Sequence, residues 1–233
     1  MKNQPIRVSL SIVFLFFFFK GTSQFKQDTS KKVQFVPLPL IFRSPETKWA
    51  VGLSASLSFK TSFKKDTLTR TSNIQLIGLV TQLKQNVQAI DAVIYFPKEK
   101  YILYFQFSHS LFPDKYWGLG PNTADHFEKY KFEQLYYVIH LKRKILKNTF
   151  LGLLNEFQNL FDMNYIHEGK FDSTITFGKN GSIVSGLGIS ISYDPRNSGF
   201  WPTKGVYNQT LVTYFNKYLG SQFNYLKTAR ATA

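Results

Sequence analysis

The segment Gly52–Phe59, GLSASLSF, constrains the fold of this chain more than any other feature. Leu53, Ala55, Leu57 and Phe59 are apolar, and Gly52, Ser54, Ser56 and Ser58 alternate with them. A period of two sends the two classes to opposite faces of a β-strand. Helical spacing would bring Leu53, Ser56 and Leu57 to one side and mix them. The alternation returns in GLGISISY, where Leu187, Ile189, Ile191 and Tyr193 oppose Gly186, Gly188, Ser190 and Ser192. Tyr101, Leu103, Phe105 and Phe107 share a face in the same way, as do Leu135, Tyr137, Ile139 and Leu141, and then Leu151, Leu153 and Phe157. Residues 72–83 and 87–96 alternate imperfectly, and 206–216 and 222–228 complete a set of about eight or nine strands.

Most of the connections are short, and short connections join antiparallel neighbours, because parallel strands need a crossover. No amphipathic helix stands out. The expected fold is therefore all-β, an antiparallel up-and-down sheet. Its faces indicate which kind. A soluble sandwich usually carries Lys, Glu and Thr on its outer face. Here the polar face of the clearest strands is Gly and Ser, which suits a wet or tightly packed lumen, while Leu, Ile, Phe and Tyr suit lipid. The 24 Phe, 13 Tyr and 3 Trp fit the aromatic girdles of a transmembrane barrel.

The chain's first residues point to export. Lys2 and Arg7 precede an apolar run from Val8 to Phe19, and the small residues Gly21, Thr22 and Ser23 follow. That is the order of a secretory signal, and the run falls well short of the roughly 20 residues of a spanning helix. Residues 1–23 are thus expected to be a signal peptide, 24–36 a flexible leader, and 37–233 a barrel domain. With no cysteine, the sheet must be stabilised without disulfides. The net charge of +15 reads first as solvating loop lysines. For an exported chain the expected polyanionic contacts are outer-membrane lipid headgroups and lipopolysaccharide, not nucleic acid.

Catalytic patterns are sparse: no G-x-S-x-G elbow, no P-loop, no zinc-ligand pair. Catalytic residues, cofactor and metal are each expected to be absent, and the protein is not expected to be an enzyme. His109 lies between Ser108 and Ser110, but a triad is a spatial arrangement, and a polar residue at a membrane interface is the simpler reading. The most distinctive non-repetitive stretch is Tyr193–Gly205, YDPRNSGFWPTKG. Asp194 and Arg196 are two apart and share a face. They follow the Gly/Ser set and not the apolar set, so both belong in the lumen or at its rim. Phe200 and Trp201 suit an interface, and Pro202 to Gly205 suits a tight turn.

The run GLGISISYDPRNSGFWPTKGVYNQTL resembles the strand-turn-strand signature of the bacterial surface antigen family, the barrel domains of BamA/TamA-type outer-membrane assembly and translocation proteins. Tyr193, Asp194, Arg196, Pro202 and Gly205 occupy its pattern positions. Pro37–Phe59 and Tyr116–Thr123 (YWGLGPNT) resemble other parts of the family. Together these place the chain as a short member without the periplasmic repeats that capture clients. The chain also ends without the family's Arg-Gly loop motif or aromatic last strand, so a C-terminally truncated, partial barrel is expected. The resemblance implies a bacterial outer-membrane protein that assists insertion or translocation of proteins or lipid, with unfolded outer-membrane proteins as clients and no cofactor. It also implies an inward-folded loop over Asp194 and Arg196; without that loop the pair is expected to be solvated and weak. The alternatives are a passive small barrel, acting as a pore or structural protein, and an outer-membrane lipolytic enzyme.

Overall fold

The computed structural model describes residues 33–62, 66, 68–119, 126–199 and 202–232. The expected signal peptide, most of the leader, part of Tyr116–Thr123, and Phe200 and Trp201 lie outside the described residues.

Among the described residues ten strands follow one another: β1 (Val33–Ser44), β2 (Lys48–Phe59), β3 (Ser72–Thr81), β4 (Asn86–Tyr95), β5 (Tyr101–Tyr116), β6 (Glu128–Leu146), β7 (Thr149–Asn164), β8 (Ser182–Tyr193), β9 (Asn208–Phe215) and β10 (Tyr225–Thr232). They form one antiparallel sheet whose spatial order is the chain order. β1 and β10 do not pair with each other, so the sheet is open, a partial barrel. Among the described residues the one α-helix, α1 (Lys170–Thr174), lies in the connection from β7 to β8. No helix among the described residues is long and apolar enough to cross a membrane.

The strand that sequence reading missed is β1. It begins at Val33, inside the segment expected to be leader. Its pairing with β2 is unbroken from Val33 opposite Phe59 to Ser44 opposite Lys48. Pro37 and Pro39 sit within it, opposite Ala55 and Leu53. Proline has no N–H to give a ladder, so an unbroken register requires both ring nitrogens to lie on the outer edge. β1 is an edge strand, where prolines are tolerated.

The register sorts the faces. Ile94, Leu103, Leu141, Leu153, Ile189 and Val212 stand side by side across six strands. This is the outer apolar face: Ile189 is 60% exposed, whereas its neighbour Ser190 is 3% exposed. The height of this face can be read along β6. Glu133 and Arg143 share its outer side and bracket Leu135, Tyr137, Ile139 and Leu141. Ten residues at about 3.3 Å each, tilted by about 40°, span about 25 Å of height, the apolar band of an outer-membrane barrel.

On the inner face the small residues serve close packing. A Cβ at Gly186 would lie 2.8 Å from the Phe215 ring, its cross-strand partner. A Cβ at Gly152 would lie 2.4 Å from both His140 Nε2 and Ser190 Oγ. Those two atoms are 2.7 Å apart, so β6 and β8 touch across β7 only because β7 has no side chain there. The imperfect alternation of β3 has the same cause. Ile77 and Leu79 face inward, opposite Ser54 and Gly52, and small residues on β2 leave them room.

At the end where β5 and β6 outrun the other strands, α1 folds against them. Phe171 is buried among Tyr116, Tyr130 and Tyr165, with ring centroids 5.1, 4.9 and 5.1 Å away. The backbone N–H groups of Lys170 and Phe171 donate to the Glu128 carboxylate.

Candidate functional site in the lumen

The strongest polar feature lies at the opposite end, where β8 leaves the sheet. The backbone N–H of Asp194 donates to the Asn148 carbonyl in the β6–β7 turn (2.8 Å), which fixes where β8 ends. Arg196 then folds back on Asp194 through two bonds, Nε to Oδ1 at 2.7 Å and Nη2 to Oδ2 at 3.1 Å. Arg70, from the β2–β3 connection, reaches the same carboxylate, Nη1 to Oδ2 at 2.8 Å. Its other donors hold Glu99 in a second fork, Nε to Oε1 at 2.7 Å and Nη2 to Oε2 at 3.1 Å. The result is a chain of alternating sign, Arg196–Asp194–Arg70–Glu99, with Asp194, Arg70 and Glu99 each 8% exposed. The charges balance, and forked guanidinium–carboxylate geometry is the strong form of this interaction. Each guanidinium also lies over a ring, Arg70 over Tyr95 at 4.6 Å and Arg196 over Tyr207 at 4.4 Å.

The backbone that supports this network is strained. Lys98 and Glu99 take φ values of 56° and 53°, successive left-handed positions without glycine. Such residues cost on the order of 1–3 kcal/mol each and persist where their surroundings hold them. Here the Lys98 N–H donates to both Asp66 Oδ2 (2.9 Å) and Thr69 Oγ1 (2.8 Å), and Asp66 also accepts from the N–H groups of Leu68 and Thr69. The β2–β3 connection is thereby clipped onto the β4–β5 turn, and Arg70 meets Glu99. The Thr69 hydroxyl and the Lys98 N–H bring the Asp66 carboxyl down to about 2. Burial pushes the Asp194 carboxyl up, but hydrogen bonds from Arg196 and Arg70 outweigh it and hold it below the usual carboxylate range.

Against the network, with Asp194 and Arg196 in its wall, the inner face lines a half-open cavity of about 440 Å³. Tyr104, Gln106, Tyr136, Lys142, Glu156 and Tyr207 are among its lining residues. Lys142 donates to the Tyr207 hydroxyl (3.0 Å) and to Gln209 Oε1 (2.6 Å). Glu156 accepts from Lys227 at 2.8 Å. These cross-linked polar groups share the wall with apolar side chains, Val93, Ile102, Val138, Leu154 and Leu211 among them.

The sequence-derived positions are placed as follows. Asp194 and Arg196 are at the inner rim, but their pair is not the solvated one expected of this chain: Arg70 and Glu99 bury it. Tyr193 is on the outer face, opposite Thr149 and Asn208. Pro202 is exposed. Gly205 has φ 95°, and a Cβ there would lie 2.8 Å from Arg196 Cα, so the turn requires glycine. Asn197 staples the loop, its Oδ1 accepting from the N–H groups of Thr203 (3.1 Å) and Lys204 (3.2 Å). His109 is on the outer face, bonded to Gln88 Oε1 (3.1 Å) and Glu133 Oε2 (3.0 Å), while Ser108 and Ser110 point inward. It is thus a polar residue at the edge of the apolar band. The His140–Ser190 contact is buried, both residues being 3% exposed.

An Omp85 superfamily domain matches residues 42–232, nearly the whole described sheet. The chain belongs to the Omp85 superfamily. No curated protein and no solved structure matches it significantly. The superfamily is one of outer-membrane insertion and translocation proteins. The apolar outer band on β6 and the inward-facing polar groups accord with a barrel of that kind. Arg70 and Glu99 were not found from the sequence. Each is one charge in a connecting segment, and Arg70 meets Asp194 across 124 positions with no periodic signal.

Proposed function

We propose that this Omp85 protein assists the insertion or translocation of outer-membrane proteins, or of lipid, at the bacterial outer membrane, with unfolded barrel proteins as its clients. The observation that carries this reading is the superfamily match over a sheet with a lipid-type outer band and a charged inner rim. The chemistry asked of it is physical. A barrel wall that meets lipid on one side and water on the other offers an incoming strand both the hydrogen bonds and the apolar surround it needs. No bond need be made or broken. The lipolytic alternative is disfavoured because His109 and its flanking serines are on opposite faces and the His140–Ser190 pair is buried.

The test is catalysed insertion. The protein reconstituted into phosphatidylcholine vesicles should speed the folding of a urea-unfolded outer-membrane barrel added from outside, read by its gel-mobility shift. Empty vesicles and vesicles holding an unrelated small barrel are the controls. Equal folding rates in all three would overturn the proposal and favour the passive barrel.

A further inference from the structure

Beyond the upper limit of the apolar band, the outer sides of β5 and β6 carry a basic cluster. Lys115 on β5 is directly opposite Lys129 on β6, and Lys131 is the next outward residue toward the band. Lys131 has a carboxylate partner, Asp162 at 3.2 Å. Among the described residues neither Lys115 nor Lys129 has one within 4 Å. Both are exposed. The Lys115 ammonium lies 4.4 Å from the centre of the Phe127 ring, and Trp117 stands 5.0 Å from that ring. Asp114 belongs to the other face of β5, where Tyr130 hydrogen-bonds it.

Like charges directly opposite in an antiparallel pair are destabilising. Two unneutralised lysines in that relation, with a third beside them, form a place where an anion removes the repulsion. The position says which anion. Lys131 and Lys129 are two and four residues beyond Glu133, about 5 and 10 Å higher at a tilt of about 40°. Headgroups occupy a layer about 5–8 Å thick outside the hydrocarbon, and lysine stems snorkel toward it. Trp and Tyr rings favour the same region, and Trp117 packs on the Phe127 ring that the Lys115 ammonium faces.

We propose that Lys115 and Lys129, supported by Lys131, bind the phosphate group of an anionic membrane lipid whose acyl chains lie on the outer face of β5 and β6. The site has a definite height and strand position, unlike the dispersed loop lysines, and holds the barrel at a fixed depth. It rests on the outer face being in a membrane, but not on any insertion activity.

The experiment uses the full chain in phosphatidylcholine vesicles doped with spin-labelled phosphatidylglycerol or, separately, spin-labelled phosphatidylcholine. The readout is the motionally restricted fraction of each probe. The wild-type protein should prefer phosphatidylglycerol. The Lys115→Gln/Lys129→Gln variant should lose about fivefold of that preference per lysine, taking about 1 kcal/mol for a lysine at a charged membrane surface. Lys60→Gln/Lys204→Gln removes the same charge from connections at the other end and should keep the preference. Equal loss in both variants, or no preference in the wild type, would overturn the site. Loss of the restricted phosphatidylglycerol signal on adding inorganic phosphate, but not sodium chloride of equal ionic strength, would assign the lysines to free phosphate and overturn the lipid. Failure of the wild type to enter vesicles at all would instead overturn the membrane reading beneath it.

Discussion

Replacing Asp194 with alanine tests whether the rim network holds this end of the sheet together. Asp194 accepts two hydrogen bonds from the Arg196 guanidinium and one from that of Arg70, at 2.7, 3.1 and 2.8 Å, and is almost fully buried. Removing it leaves Arg70 with Glu99 alone and Arg196 with no carboxylate. Breaking a buried ion pair costs about 3–5 kcal/mol, because the remaining charge stays buried and unpaired. The Arg196 side chain is 16% exposed and can turn to water, which puts the expected loss near the lower end, about 3 kcal/mol. Arg196→Ala should cost less, about 1–2 kcal/mol, since Asp194 keeps Arg70. Asp194→Asn keeps the volume and should fall between them. The assay is guanidinium unfolding of the vesicle-folded protein, followed by tryptophan emission. In a double-mutant cycle, Asp194→Ala and Arg70→Met should couple by about 1–3 kcal/mol. A loss under about 1 kcal/mol for Asp194→Ala, the range of a solvated surface pair, would refute the reasoning and reduce the motif to a turn signal.

Three further outcomes are expected. Ile139→Arg, well inside the outer apolar band between Glu133 and Arg143, should destabilise the folded protein by about 2–4 kcal/mol in vesicles, and an effect no larger than that of Thr210→Arg would argue against a bilayer around this face. Gly152→Ala forces a methyl group between His140 and Ser190, so it should cost about 1–3 kcal/mol; adding His140→Ala should recover part of that loss, and strict additivity would mean the contact across β7 is unimportant. In acid, the Asp66 carboxyl at about 2 lies below the unfolded value of about 3.9, so its stabilisation is complete above about pH 4 and disappears as pH falls toward 2. Amide exchange at Thr69 and Lys98 should accelerate across that window, and Asp66→Asn should already exchange fast at neutral pH.

The sheet was legible where one face of a strand is small and the other large. β2 and β8 could be read residue by residue because Ser and Gly mark the inner side from Gly52 to Ser58 and from Gly186 to Ser192. β3 blurred because inward Ile77 and Leu79 fill the space left by Ser54 and Gly52, a relation between strands that no single segment displays. β1 was missed because prolines normally count against a strand, and only its edge position excuses them. The rim site was half legible. Asp194 and Arg196 could be assigned to the inner side by parity alone, but their strength comes from Arg70 and Glu99, and what selects those two is a strained turn at Lys98. The Lys115–Lys129 pairing was hidden for the same reason: it depends on the register of β5 against β6.

The two edges of this sheet are chemically unequal. Along β1 the outward donors should come at every second residue, and at Pro37 and Pro39 they are missing. A strand laid against that edge would find N–H groups at Phe35 and Ile41 and a silent stretch between them. Two of its carbonyls would go unanswered, and in lipid each such group costs several kcal/mol. β10 has no proline from Tyr225 to Thr232 and offers a continuous row. Lengthening the sheet is therefore easier beyond β10 than beyond β1, and any strand that does dock on β1 is held at its ends and loose at its centre, a zip with teeth missing in the middle.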